Sequence, residues 1–177
     1  MKNEENKIID NLYYDERSAG GLVYKQENGK IFWLLIKTVS NFKSEKNKKR
    51  EQDGAVYKFP KGHLKKDEFL KEAALREVEE EGRVKAKIVI KLGSNDYVIW
   101  DKEQKRKIIK KVTFFLMEYL SQSNLKYYDT EMVLERDWFS FDEAMKILAY
   151  DSEKILLKKA KTQLDNILKN ETSRKNN

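Results

Sequence analysis

The stretch REVEEEG, residues 76–82, sets Glu77, Glu79, Glu80 and Glu81 directly before a glycine. Like charges at helical spacing repel by about a few tenths of a kcal/mol per pair, and a helix C-terminus already carries about half a negative charge. Such a set of acids needs a positive partner. The residues upstream decide which way the carboxylates face. At about 100° per residue from Phe69, the apolar Leu70, Ala73 and Ala74 lie near 100°, 40° and 140°, while Glu77, Glu80 and Glu81 fall near 80°, 20° and 120°. Glu79, at about 280°, points the other way, beside Glu68 and Glu72.

The inward side of this helix therefore changes from apolar to acidic without the helix turning over. An unpaired carboxylate looking into a protein costs several kcal/mol. Oxygen donors at this spacing suit a hard divalent cation, Mg²⁺ or Mn²⁺, which takes carboxylates, water and substrate phosphates. The competing reading is a solvated acidic helix end paired with nearby lysines.

The surrounding elements must hold that helix. Residues 18–38 read as two strands around a turn at Asn28-Gly29. The polar stretch 41–54 reads as a loop, with Lys43, Lys46, Lys48, Lys49 and Arg50 either a phosphate or RNA clamp or a solvated face. AVYKFP, 55–60, reads as a short extended segment ending at the single proline, Pro60. Asp67 is the expected N-cap of the glutamate helix, Glu68 the acid in its first turn, and Gly82 its end. Strands are expected at 85–100, 107–120 and 134–141, and helices at 142–150 and 151–170. In the last helix Ile155, Leu156, Ala160, Leu164, Ile167 and Leu168 form a core-facing stripe. The pattern predicts one α+β domain over residues 1–177, with flexible ends at 1–15 and 171–177 and a mixed sheet covered by helices.

Composition narrows the class. With 37 Lys and Arg against 30 Asp and Glu, the formal charge of +7 favours polyanionic partners: nucleic acid, anionic lipid or phosphorylated small molecules. The absence of cysteine excludes disulfides, a thiol nucleophile and cysteine-ligated zinc, and fits a reducing compartment. The start has no signal-peptide core, and the longest apolar run, IFWLLI at 31–36, is too short to span a bilayer. The expectation is a soluble, cytoplasmic protein. No Walker-type phosphate loop occurs, and Gly20-Gly21 does not fit a dinucleotide fingerprint, so phosphate must be handled through metal.

Gly62, Glu68, Arg76-Glu77-Val78-Glu79-Glu80-Glu81 and Val84 together resemble the Nudix box, a 23-residue loop-helix-loop signature. One position departs: the box's late glycine falls on Arg83, with a glycine one place earlier at Gly82. If Arg83 takes a left-handed conformation, strain of about 1 kcal/mol follows. SAGGLVY, FPKGH, GSNDYVIW, KKVTFFLMEY and WFSFDEAMKILAYDSEKILLKKA resemble segments of bacterial Nudix enzymes of the diadenosine polyphosphate hydrolase type.

The resemblance implies an α/β/α sandwich and cleavage of a nucleoside diphosphate linked to a further group. It implies metal ligation by Glu77, Glu80 and Glu81 with the main-chain carbonyl of Lys61, and a supporting Glu68–Arg76 pair. Glu81, Glu77 or Glu118 would be the general base. Lys58, Lys61, Gly62 and His63 would lie at phosphate, and Tyr97 and Tyr150 would stack on a base. Each of these side chains also has an ordinary reading, His63 as a loop residue and the tyrosines as core or surface. An RNA 5′-pyrophosphohydrolase, a nucleotide-pool sanitising enzyme and a non-catalytic nucleotide- or RNA-binding module remain as alternatives. Oligomeric state is not legible.

Overall fold

Asn28 and Gly29 sit at φ of 50° and 75°, the two positive values that a type I′ hairpin turn requires. They join β1 (Glu16–Glu27) to β2 (Lys30–Val39), with Tyr24 opposite Trp33. The computed structural model describes residues 14–39, 54–101, 105–125 and 133–175. The basic residues Lys43, Lys46, Lys48, Lys49 and Arg50 lie outside these. After the hairpin come β3 (Ala55–Lys58), β4 (Lys61–His63), α1 (Leu70–Gly82), β5 (Val84–Asp101) and β6 (Arg106–Gln122). They are followed by β7 (Val133–Phe139), α2 (Phe141–Ile147) and α3 (Asp151–Lys175).

The sheet is mixed and runs β3-β2-β1-β6-β5, with β4 also on β1 and β7 also on β2. Among the described strand pairs, β1 and β6 run parallel and the others antiparallel. β2 pairs with β1 from Lys30 to Trp33 and then departs to pair with β3 over Ile36–Val39. The edge of β1 that β2 abandons is taken by β4, with Gly20 opposite Lys61 and Ser18 opposite His63. The short KGH strand has no sequence signal of its own, because it forms only where this splay leaves room. Gly20 is required there: a Cβ at this position would sit 2.3 Å from the Pro60 carbonyl oxygen.

Strand alternation divides the core between two faces. Ala19 and Val23 of β1, Leu34 of β2, and Phe115 and Met117 of β6 pack against Ala73, Ala74 and Val78 of α1. Leu22, Trp33, Leu35, Phe114 and Leu116 face the other way, onto Ala144, Leu148, Leu156, Leu157 and Ala160 of the α2–α3 region. The result is the expected α+β sandwich, helices on both faces of a mixed sheet.

Several boundaries differ from the sequence reading. Asp67 is not the cap; it takes φ of 61° in the turn before the helix. Phe69 is the N-cap residue, and the Glu72 carboxylate accepts its N–H at 3.2 Å. Glu68 therefore precedes the helix, where it accepts the Lys65 N–H at 2.9 Å. α3 continues through Lys175, past the expected end at 170. Its buried stripe is also rotated: Ile155 is 67% exposed, whereas Leu157, absent from the sequence-derived stripe, is fully buried.

That rotation makes a direct prediction. Leu157→Ala should lower unfolding free energy by about 2–5 kcal/mol, and Ile155→Ala should change it by less than about 0.5 kcal/mol, in chemical denaturation.

Candidate active site

The segment from Lys58 to His63 crosses the splay between β2 and β1, and α1 lies against it. Glu77 and Glu81 are 4% and 3% exposed, as an inward acidic face requires. Glu81 Oε2 accepts the Lys61 N–H at 2.7 Å. Gly62 packs so closely on Glu77 that an added Cβ would fall 2.2 Å from its carboxylate oxygen. Ala73, Ala74, Glu77, Val78, Glu81 and Gly82 form the buried face of α1. Its centre lies near 130° on the wheel, about 40° beyond the mean direction of Leu70, Ala73 and Ala74. Glu80 therefore lies at the border of the buried face, its side chain 20% exposed.

Arg76 ties this face together. Its Nε and Nη2 donate to the two oxygens of Glu68 at 2.7 and 2.8 Å, a forked pair. Nη1 donates to Glu77 Oε1 at 2.5 Å and to Glu80 Oε2 at 2.8 Å, and Nη2 also donates to the His63 carbonyl at 2.9 Å. All five guanidinium donors are thus engaged. The Arg76 guanidinium holds the Glu68 carboxyl below its ordinary range. Arg76 thus pairs with Glu68 and also reaches Glu77 and Glu80, two of the three glutamates expected as ligands.

The acidic helix end is stabilised from outside the helix. Arg136 of β7 donates its Nε to the Glu81 carbonyl at 2.5 Å, bringing a cation to the negative end of the dipole. Ser123 Oγ donates to Glu79 Oε1 at 2.7 Å. Arg83 is left-handed, φ 60° and ψ 29°, with its N–H donating to the Glu79 carbonyl. Arg83 Nη1 reaches the Leu125 carbonyl at 2.6 Å. The displaced glycine has a packing reason: a Cβ on Gly82 would meet Leu34 at 2.9 Å.

Burial pushes the Glu81 carboxyl up to about 7, against the opposing charges of Lys58 and Lys61. Burial also raises Glu77, opposed by Arg76. For Lys61, burial works against the ammonium, but Glu153 and Glu81 outweigh it and the net direction is upward. Lys61 Nζ lies 3.2 Å from Glu153 Oε1. Lys58 is buried, 8% exposed, at the end of β3.

The other expected residues divide into near and distant. His63 is on β4 with its side chain outward, Nε2 3.1 Å from Glu16 and 2.9 Å from Lys110. Tyr97 is half-buried on β5, its hydroxyl 3.3 Å from Ser152 Oγ, and is packed on the α3-side core. Tyr150 immediately precedes α3, where its carbonyl accepts the Glu153 N–H. Glu118 stands apart from the gathered residues. It lies opposite Tyr24, whereas Lys61 faces Gly20 four positions back along β1, about 13 Å away at strand rise. There it pairs with Lys87 at 2.9 Å. Sequence reasoning missed Glu153 and Arg136. Glu153 could have been found, because it lies 4 and 7 residues before Leu157 and Ala160 on the buried stripe.

Residues 15–159 match the family model for the NUDIX domain. The chain belongs to the Nudix family. It is 32% identical over 112 residues to mutator protein MutT4 of Mycobacterium tuberculosis, covering 63% of this chain and 44% of that protein. It is 35% identical over 96 residues to Nudix hydrolase 4 of Arabidopsis thaliana, covering 54% and 44% respectively. The chain thus matches less than half the length of these curated relatives. Among solved structures, a C. elegans Ap4A hydrolase binary complex shares the fold at TM-score 0.61 and 22% identity, covering 85% of this chain and 98% of that one. The NUDIX domain of Shewanella oneidensis NrtR, complexed with ADP ribose, does so at TM-score 0.62 and 14% identity, with 90% and 98% covered.

Nudix hydrolases generally use divalent metal ions. Among the described residues no three acidic or histidine side chains are gathered into a ready-made cage. Arg76 instead bonds Glu77 and Glu80. The donor chemistry nevertheless fits a hard cation: oxygen ligands only, with Glu77 and Glu81 buried and destabilised as anions.

Two outcomes follow. The raised Glu81 carboxyl binds its proton in the folded state between about pH 4.5 and 7, where an unfolded glutamate has released it. Metal-free stability should therefore fall as pH rises through that window and level off above about 7, by an amount on the order of 3 kcal/mol. Glu81→Gln should remove most of that slope in urea melts across pH. Separately, Gly62→Ala should displace the Glu77 carboxylate, weakening Mn²⁺ binding by about tenfold or more in a direct titration.

Proposed function

We propose that this Nudix domain is a cytoplasmic, Mg²⁺-dependent pyrophosphohydrolase, with Mn²⁺ able to substitute. Its substrate is a nucleoside diphosphate linked to another group, specifically a dinucleoside polyphosphate such as diadenosine tetraphosphate. The observation that carries this reading is the meeting of two buried carboxylates, Glu77 and Glu81, with the buried Lys58 and the Lys61 ammonium at one strand segment. A polyanion bridged through a cation needs both signs of charge at one place. The flanking SAGGLVY, FPKGH and WFSFDEAMKILAYDSEKILLKKA segments support the dinucleotide choice.

Glu77, Glu80 and Glu81, with the Lys61 carbonyl, would hold the cation. When bound, it supplies charge neutralisation at the phosphate oxygens and acidification of water. Arg76 and Glu68 fix the ligand helix to the His63 carbonyl, keeping the carboxylates and the Lys58–His63 segment in register. Glu81 or Glu77 accepts the proton of the attacking water. Lys58, Lys61, Gly62 and His63 line the phosphate side, and Tyr97 and Tyr150 the base side. Glu118, the other candidate base, pairs with Lys87 four positions along the sheet from Lys61. No described helix is long and apolar enough to cross a membrane.

The charge of +7 favours a second substrate reading, the triphosphorylated 5′ end of RNA. The test is kcat/KM with Mg²⁺ on diadenosine tetraphosphate, triphosphorylated RNA, ADP-ribose and oxidised dGTP, repeated with Glu80→Gln. We expect the dinucleotide to be preferred and the variant to lose about a hundredfold or more in rate while retaining the fold. A tenfold preference for RNA would replace the dinucleotide assignment. No hydrolysis of any of the four by the wild type would leave the non-catalytic binding module standing, and an unchanged rate in Glu80→Gln would remove Glu80 from the metal site.

A further inference from the structure

Glu153 has no exposed surface, yet its carboxylate is not spent on its own helix. It sits in the first turn of α3, and its own N–H donates to the Tyr150 carbonyl. The side chain instead reaches across to the segment that faces α1 from the opposite side of the sheet. Oε2 accepts the Phe59 N–H at 3.0 Å, and Oε1 lies 3.2 Å from Lys61 Nζ.

The polar backbone of that segment is consequently assigned in an unusual way. Phe59 donates to Glu153 of α3, and Lys61 donates to Glu81 of α1. Pro60 between them has no N–H, and its carbonyl accepts the Gly21 N–H at 3.2 Å. Two buried carboxylates from opposite faces thus replace the neighbouring strand that would otherwise take these donors. A buried anion costs several kcal/mol, whereas a neutral glutamine oxygen would accept the Phe59 N–H at far lower desolvation cost. The charge has a use only through the second contact, the Lys61 ammonium.

We propose that Glu153 is a positioning residue for the reaction assigned above, on which this inference rests. It holds the Phe59 amide and the Lys61 ammonium together, and so fixes the Lys61 main chain against Glu81 and Gly62 against Glu77. Its contacts are the Phe59 amide and the Lys61 ammonium, and it acts through Lys61. Partners of this kind behind a metal site typically carry about 10–100-fold in metal affinity or activity.

The test compares wild type with E153Q, which is nearly isosteric and retains an acceptor for Phe59, and with E153M, which retains neither contact. Three quantities are read: kcat and KM on diadenosine tetraphosphate with Mg²⁺, the Mn²⁺ dissociation constant by EPR titration without substrate, and Tm. In E153Q, kcat should fall and the Mn²⁺ dissociation constant should rise, each by about tenfold, with KM held within about threefold. E153M should fall further. A merely structural role would lower Tm and leave the Mn²⁺ constant of folded E153Q within twofold of wild type; that result overturns the proposal. Should E153M not fold, E153Q decides alone. If wild type hydrolyses no substrate but E153Q still weakens Mn²⁺ binding, the assigned reaction fails and the positioning role stands. If wild type is active and E153Q matches it in both constants, only the positioning role fails.

Discussion

Buried carboxylates against a single strand segment are the constraint around which this molecule is organised. Glu77 and Glu81 from one face of the sheet and Glu153 from the other all reach residues 59–62. Each anion would cost several kcal/mol if left unpaired in the interior. Each is met by a donor that is itself held in place: the Lys61 N–H, the Phe59 N–H, the Arg76 guanidinium and the Lys61 ammonium. Charge-assisted hydrogen bonds are roughly twice as strong as neutral ones, so the segment is tied from both sides by strong contacts.

The room for this comes from the sheet. β2 leaves β1 after Trp33, and the space it vacates admits β4 and its flanking turn. Glycines stand where approach is closest, Gly20 under the Pro60 carbonyl and Gly62 under the Glu77 carboxylate. Both lack a Cβ for reasons of space, and neither carries a positive φ. The two apolar cores on either face then hold α1 and α3 at the depth from which their glutamates reach the same strand.

Arg76 and Arg136 divide the task of neutralising α1. Arg76 spends all five donors on Glu68, Glu77, Glu80 and the His63 carbonyl, which couples the loop before the helix to its acidic face. Arg136 covers the C-terminal carbonyl of Glu81. A helix with four acids in its last turn and a half is tolerated because Arg76 within it and Arg136, Lys58 and Lys61 from other elements supply the counter-charges. This polarity, anionic on α1 with lysines across the segment, suits the metal-bridged polyphosphate of the proposed function.

Much of this was legible in the chain itself. The Asn28-Gly29 hairpin follows from local turn chemistry, and the inward acids of α1 follow from helical periodicity, because both depend on residues close in sequence. The Glu68–Arg76 pair is carried by the spacing of one motif. What periodicity alone could not give was the rotation of the buried face toward Val78 and Gly82, which is set by packing on Leu34 and Met117. Nor could it set the offset between Glu118 and Lys61 along the sheet, since strand register decides that. Glu153 and Arg136 meet residues 94 and 55 positions away. Helical periodicity along the chain picks out the helix that carries the acids and turns them inward. The strand they meet and the distant charges that answer them come from the fold, because the splay of the sheet brings those partners together and no spacing along the chain does.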